Sequence, residues 1–192
     1  PGGRSELTVT TPFTWPAPFR RKPLNGLLWA IARSNHRLTG LPIKAFAHVI
    51  DNLFVGGKIS RAGWRRLRSW GVSVVVNLRV EFDDQSLGID PPTYLWLPTI
   101  DGTPPTLEQL AEGVRVIAQG ISEGQKVYVH CAAGVGRAPT LAAAYLTTTG
   151  LSVEQALSLI QRHRPFISLS RWQRRRLHEF AKRRQPLARF QR

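Results

Sequence analysis

The sequence predicts an α/β domain with a central, mainly parallel sheet of four to five strands flanked by helices. Short apolar runs alternate with segments of helical length, and this alternation is typical of parallel sheets, whose strands need long crossover connections. Hydrophobic residues make up 42% and charged residues 20% of the 192 positions, as expected of a chain that buries one full core.

The strands are predicted from short runs rich in β-branched and aromatic residues. Four such runs cover residues 53–55, 73–78, 94–97 and 126–130. The second of them is apolar over most of its length, as expected of a strand covered on both faces.

Polar residues that can cap helices separate these strands. Ser60 is expected to begin a helix that ends at Gly71, and another helix is predicted over residues 138–148. Three further helix starts show the spacing of a capping box, in which two polar side chains three residues apart bond each other's backbone: Thr106 with Gln109, Ser152 with Gln155, and Ser170 with Gln173.

The chain divides into three parts by composition. Residues 1–45 are predicted to be an N-terminal extension, an irregular proline-rich arm followed by a basic helix over 24–38. Residues 46–185 are predicted to be the folded domain, and residues 186–192 a basic C-terminal tail. Because the sequence begins with Pro1 and not Met, it gives no information on targeting.

The charge is strongly positive. Lys and Arg number 27 against 12 Asp and Glu, a formal net charge of +15, which favours phosphorylated substrates, anionic lipid surfaces or nucleic acid as partners. Residues 171–192 hold nine Arg or Lys and one acid, either a membrane-facing surface or a solvated helix face.

One segment carries the features of a phosphate-binding loop with a nucleophile. Cys131 and Arg137 enclose the loop residues, which are Ala132, Ala133, Gly134, Val135 and Gly136. A glycine-containing loop between a strand and a helix can turn successive amides toward a phosphoryl group, and an arginine can hold two of its oxygens. The same donors stabilise a thiolate, which makes Cys131 the predicted nucleophile.

An alkoxide leaving group needs a proton from an acid on a separate loop. Asp101, after the predicted strand at 94–97, is the candidate general acid, and Asp83 and Asp84 are competitors after another strand. Arg79, just beyond the strand 73–78, is a candidate for the mouth of the pocket.

The run from His130 to Arg137 resembles the Cys-x5-Arg signature of the protein tyrosine phosphatase superfamily, in its dual-specificity branch. The resemblance covers roughly residues 48–184 and is similar in pattern, over residues 94–101, to mitochondrial-type phosphatidylglycerophosphate phosphatases and their bacterial relatives. It implies a protein tyrosine phosphatase-like fold and a cysteinyl-phosphate on Cys131, with Asp101 as general acid and then base. It also implies no metal and no cofactor, and a structural role for His130.

One position departs from the commonest pattern of that superfamily. The residue after the loop arginine is usually Ser or Thr, which bonds the departing thiolate, but here it is Ala138. A lost hydrogen bond to a charged group costs about 1.5 to 3 kcal/mol. We therefore expect slower breakdown of the phosphoenzyme than in relatives that carry the hydroxyl.

The sequence leaves the substrate open. The resemblance favours a phospholipid or phosphoinositide-type phosphomonoester, with contact to an anionic membrane and a cytoplasmic or peripheral membrane location. The alternatives are a protein tyrosine or dual-specificity phosphatase, a glucan phosphatase, and a non-enzymatic phosphate- or nucleic-acid-binding module. Nucleic acid is not an expected partner.

Overall fold

The computed structural model of the protein describes residues 46–188. These residues contain five strands: β1 Phe46–Ile50, β2 Leu53–Gly56, β3 Val72–Arg79, β4 Thr93–Thr99 and β5 Lys126–His130. They also contain five α-helices: α1 Arg61–Ser69, α2 Leu107–Ser122, α3 Arg137–Thr148, α4 Val153–His163 and α5 Arg171–Ala188. The predicted extension at 1–45, with its helix, and residues 189–192 of the predicted tail lie outside the described residues.

The strands form one sheet in the order β1-β2-β5-β3-β4. β2, β5, β3 and β4 run parallel, and β1 pairs antiparallel with β2 at one edge. The predicted α/β class and mainly parallel sheet are confirmed, while β1 was not predicted as a separate strand. Since the carboxyl ends of the parallel strands meet at one edge of the sheet, the loops that follow them meet there too.

The helix starts agree with the predicted caps. Thr106 and Gln109 form the reciprocal bonds of a capping box, as do Ser152 and Gln155. The same pattern joins two residues at the start of α5: the Ser170 amide donates to Gln173 Oε1 at 2.9 Å, and the Gln173 amide donates to Ser170 Oγ at 3.2 Å. These local bonds explain why three helix starts could be located from sequence.

The main core lies between the sheet and the helices α2 to α5. Helix α3 is buried over ten consecutive residues from Arg137 to Leu146, and its alanines allow neighbouring elements to approach it closely. A smaller core beneath α1 includes Trp64, Leu67 and Tyr128. Within residues 46–188 no helix combines the length and apolar character needed to cross a bilayer.

Candidate active site

The loop predicted to bind phosphate joins the central strand β5 to the buried helix α3. β5 is hydrogen-bonded to a parallel strand on each side, β2 and β3. The loop is therefore fixed at both ends by buried elements of the fold, as a site that needs precise geometry requires.

Five consecutive carbonyl groups of this loop point away from its centre. The carbonyl of residue 132 accepts a hydrogen bond from the Lys58 amide at 3.0 Å, and those of residues 133 and 134 accept from two nitrogens of Arg164. The carbonyl of residue 135 accepts from the Ser168 amide at 2.7 Å, and that of residue 136 accepts from the Thr140 amide at 2.9 Å. In a trans peptide the C=O and the next N–H point in opposite directions. The amides of residues 133 to 137 are consequently turned inward, where they can meet phosphate oxygens.

Arg164 braces the loop from outside. Its Nε donates to Gly134 O at 2.7 Å and its Nη2 to Ala133 O at 3.0 Å, although burial lowers the pKa of this guanidinium. Gly134 has φ +68, and a Cβ there would lie 2.4 Å from the Gly56 carbonyl. Only glycine fits this left-handed position against the end of β2.

Cys131 lies at the base of the loop, with 2% of its surface exposed. The Gly134 amide points at its Sγ from 3.3 Å. The sulfur therefore lies among the inward-facing amides, where it can attack a phosphorus atom that they hold.

Arg137 spans the site from the first position of α3. Its two terminal nitrogens donate to Glu81 at 2.9 and 3.1 Å, and Nη1 also donates to Thr99 O at 2.8 Å. Burial lowers the pKa of Arg137, but the bonds to Glu81 and the nearby charges raise it above its ordinary value overall. Nε of Arg137 is the single buried side-chain polar atom of the described residues that lacks a partner, so this donor is available to a ligand oxygen.

Asp101 lies on the loop after β4, beside Arg137. Its Oδ1 is 3.0 Å from Arg137 Nη2, and its side chain is 67% exposed. The start of α5 holds this loop, since Ser170 Oγ donates to Gly102 O at 2.9 Å and Gln173 Nε2 donates to Thr103 O at 3.0 Å. The predicted acid is thus next to the phosphate-binding arginine and open to a leaving group.

The two competing aspartates are held elsewhere. Asp84 is fully buried between His130, whose Nε2 is 2.7 Å from Asp84 Oδ2, and Arg79. Asp83 accepts a hydrogen bond from the Tyr94 hydroxyl at 2.8 Å. Neither carboxylate pairs with Arg137 as Asp101 does. Arg79, with 3% of its surface exposed, forms part of the support beneath the loop.

His130 also belongs to this support. It is fully buried, stacks on Tyr128 with ring centroids 5.3 Å apart, and bonds to Asp84. This placement suits the structural role expected for His130, and it leaves the ring without access to a leaving group.

Sequence reasoning missed the roles of three residues: Glu81, which engages Arg137, Asp84, which supports His130, and Arg164, which braces the loop. The signal for Glu81 was weak, because its position depends on a loop held by Asn77 through a 2.8 Å bond from Nδ2 to Phe82 O. The loop carbonyl that Arg164 Nε bonds lies 30 residues away in sequence, so no local pattern indicated the role of Arg164.

Comparison with known proteins agrees with the arrangement. A family model described as "Polymorphic toxin system, DSP-PTPase phosphatase" matches residues 54–151. The mouse "Phosphatidylglycerophosphatase and protein-tyrosine phosphatase 1" is 42% identical over 170 residues, which cover 81% of this chain and 86% of that protein. The human "Protein tyrosine phosphatase type IVA 3" is 34% identical over 101 residues, 51% of this chain and 58% of that protein.

The solved structures include a crystal structure of PTPMT1 in complex with PI(5)P. It superposes with a TM-score of 0.68 at 29% sequence identity and covers 74% of this chain and 98% of that chain. The similarity therefore extends over almost the whole of that structure.

Proposed function

The chain belongs to the dual-specificity branch of the cysteine-dependent protein tyrosine phosphatases, and we propose that it hydrolyses phosphomonoesters of phospholipid type through a cysteinyl-phosphate on Cys131. The observation that carries the catalytic part is the convergence of Cys131 Sγ, the inward amides of residues 133 to 137 and the unpartnered Nε of Arg137. These groups match the charge and shape of a phosphoryl group.

The proposed reaction has two steps. In the first, the Cys131 thiolate forms a bond to phosphorus while the bond from phosphorus to the ester oxygen breaks, and protonated Asp101 gives its proton to the leaving oxygen. In the second, the Asp101 carboxylate takes a proton from a water molecule whose oxygen attacks phosphorus. The S–P bond breaks, and inorganic phosphate and the Cys131 thiolate are released.

Exposed apolar side chains around the site support a lipid substrate. They occupy the segments after β3 and β4, the strand β4 itself, the loop after α4 and the start of α5. Within these segments, the large hydrophobic side chains exposed by more than 40% are Val80, Phe82, Trp96, Ile100, Phe166 and Trp172. Trp70, which follows α1, is also 42% exposed but belongs to none of these segments. Exposed aromatic residues beside a catalytic opening are suited to the boundary between lipid headgroups and acyl chains.

Basic residues accompany these apolar side chains. The guanidinium of exposed Arg171 lies 4.6 Å from the ring centre of Trp172, and Arg174 and Arg175 are exposed further along α5. We propose that this surface brings the site to an anionic membrane, where the protein works as a peripheral enzyme. The names of the relatives, one a phosphatidylglycerophosphatase and one crystallised with PI(5)P, agree with such a substrate.

The test is a substrate panel measured on the intact chain. Phosphate release would be compared by kcat/KM for phosphatidylglycerophosphate, phosphoinositides, soluble inositol phosphates, tyrosine phosphopeptides and phosphoglucan. We expect lipid phosphomonoesters in anionic vesicles to be preferred over phosphopeptides. A preference for phosphopeptides would replace the lipid proposal with a protein phosphatase, a function that the names of the relatives also include.

A further inference from the structure

A cavity lies beside the phosphate loop, on the side of α1. Its volume is about 690 Å³, and it is formed by the segment after β2, the first turns of α1 and the loop after β3. Ile59, Phe82 and Leu87 provide apolar surface, while Ser60 and Ser86 add hydroxyl-bearing side chains.

The charge of this cavity is uniformly positive. Its described lining includes Lys58, Arg61, Arg65 and Arg79, and no acidic residue. Arg79 is neutralised by buried Asp84, but Lys58, Arg61 and Arg65 take part in none of the ion pairs found among residues 46–188. Arg61 and Arg65 also lie in the first two turns of α1, where the positive end of the helix dipole disfavours cations. A bound anion would relieve this repulsion.

The cavity is tied directly to the phosphate loop. The Lys58 amide donates to Ala132 O at 3.0 Å, and a Cβ on Gly57 would lie 3.0 Å from that same oxygen. On the other side, Phe82 from the lining is adjacent in sequence to Glu81, which holds Arg137. The cavity and the phosphate-binding site are therefore flanked by the same two segments, residues 57–58 and 81–82.

We propose that this cavity is a subsite for a second phosphate group of the substrate, with Lys58 and Arg65 as its principal cations. This proposal rests on the proposed function. The preferred substrate then carries two phosphates: a terminal monoester held over Cys131 and a second anion held in the cavity. The second anion is either the internal phosphodiester of a glycerophospholipid or a further phosphate on a polyol ring. The apolar lining accommodates the carbon skeleton next to it.

The experiment compares matched substrates that differ only in the second anion. One pair is short-chain phosphatidylglycerophosphate and its analogue with the internal phosphodiester methylated to a neutral triester. The other pair is a phosphoinositide carrying two ring phosphates and one carrying a single ring phosphate. The test variant combines Lys58→Gln with Arg65→Gln. Arg61 is left unchanged, because it donates to Leu87 O and packs at Gly88 and so helps to hold the fold. Arg115→Gln, an exposed cation on α2, is the control.

For the wild type we expect kcat/KM to be about tenfold higher for the two-anion member of at least one pair, as charge-assisted contacts predict. In the double variant that ratio falls to near unity, whereas Arg115→Gln retains it. The pair that shows the effect identifies the source of the second anion. Equal ratios in the wild type and the double variant for both pairs would overturn the subsite. A wild type that hydrolyses none of these four substrates would instead overturn the proposed function, so the two failures are distinguishable.

Discussion

Glu81 holds both terminal nitrogens of Arg137, with distances of 2.9 and 3.1 Å from its two carboxylate oxygens. Partial burial raises the pKa of Glu81, but the hydrogen bonds and charge of Arg137 outweigh it and leave the pKa below its ordinary value of 4.5. This pairing fixes the plane of the guanidinium and leaves Nε without a partner, as a donor for a ligand oxygen.

Glu81→Gln should weaken phosphate binding, because the guanidinium loses the charged partner that orients it. We expect KM for p-nitrophenyl phosphate to rise about tenfold, as for one charge-assisted contact, with a smaller change in kcat. Glu112→Gln on the exposed face of α2 is the control. An unchanged KM in Glu81→Gln would contradict the positioning role.

The same pair makes stability depend on acidity. A carboxylate whose pKa is lowered by folding stabilises the protein fully above its unfolded-state pKa, and the contribution is lost as the pH falls through the folded-state pKa. Urea unfolding of the wild type should therefore show a decline in stability below about pH 4.5 that is shallower in Glu81→Gln. Identical slopes in the two proteins would show that Glu81 does not contribute.

The buried group of Asp84, His130 and Arg79 should be essential for folding stability. Asp84→Ala leaves both partners in the interior without their carboxylate, and breaking such a buried pair costs about 3 to 5 kcal/mol. The measurement is the free energy of unfolding in urea, with Asp90→Ala, at an exposed position, as control. A loss as small as that of the control would show that the partners find water or other groups.

Ala138→Ser restores the hydroxyl that related phosphatases carry after the loop arginine. We expect faster breakdown of the phosphoenzyme by about tenfold, in line with a hydrogen bond to a charged group. Rapid-quench kinetics would show a smaller burst and a higher steady-state rate. Ala142→Ser, one turn further along α3 and equally buried, controls for the added polar atom. Unaltered steady-state turnover in Ala138→Ser would contradict this account of the second step.

Asp101→Asn removes the proton donor and should act according to the leaving group. We expect a loss in kcat of about 10² to 10⁴ with alkyl phosphates, the usual contribution of a general acid, and a smaller loss with p-nitrophenyl phosphate, whose phenolate leaves readily. Asp83→Asn serves as the matched control. An equal loss with both leaving groups would indicate that Asp101 mainly orients Arg137.

The parts of this site that could be predicted from sequence depend on local chemistry. Capping boxes such as Thr106 with Gln109 involve residues three positions apart, and the loop from Cys131 to Arg137 is one continuous segment between a strand and a helix. The loop holding Asp101 follows a strand that could be recognised from its apolar residues. Each of these features is specified within a few residues of the chain.

The supporting residues could not be predicted in the same way, because their partners are distant in sequence. Glu81 and Arg137 are 56 residues apart, and Asp84 and His130 are 46 apart. A single glutamate or arginine in a loop is usually solvated, and only the sheet order β5-β3-β4 brings these segments to one edge. Buried charge pairing is thus a property of the topology, which the local pattern does not specify.

The proposed reaction forms a covalent bond between Cys131 and the phosphoryl group of the substrate. Its most direct test is mass spectrometry of the protein quenched in acid during turnover of p-nitrophenyl phosphate, with chelator present, for the wild type and Cys131→Ser. We expect a phosphate adduct on Cys131 in the wild type, and neither that adduct nor turnover in Cys131→Ser. Turnover that persists in Cys131→Ser, or a wild type that is inactive with chelator present and active without it, would contradict the proposed reaction.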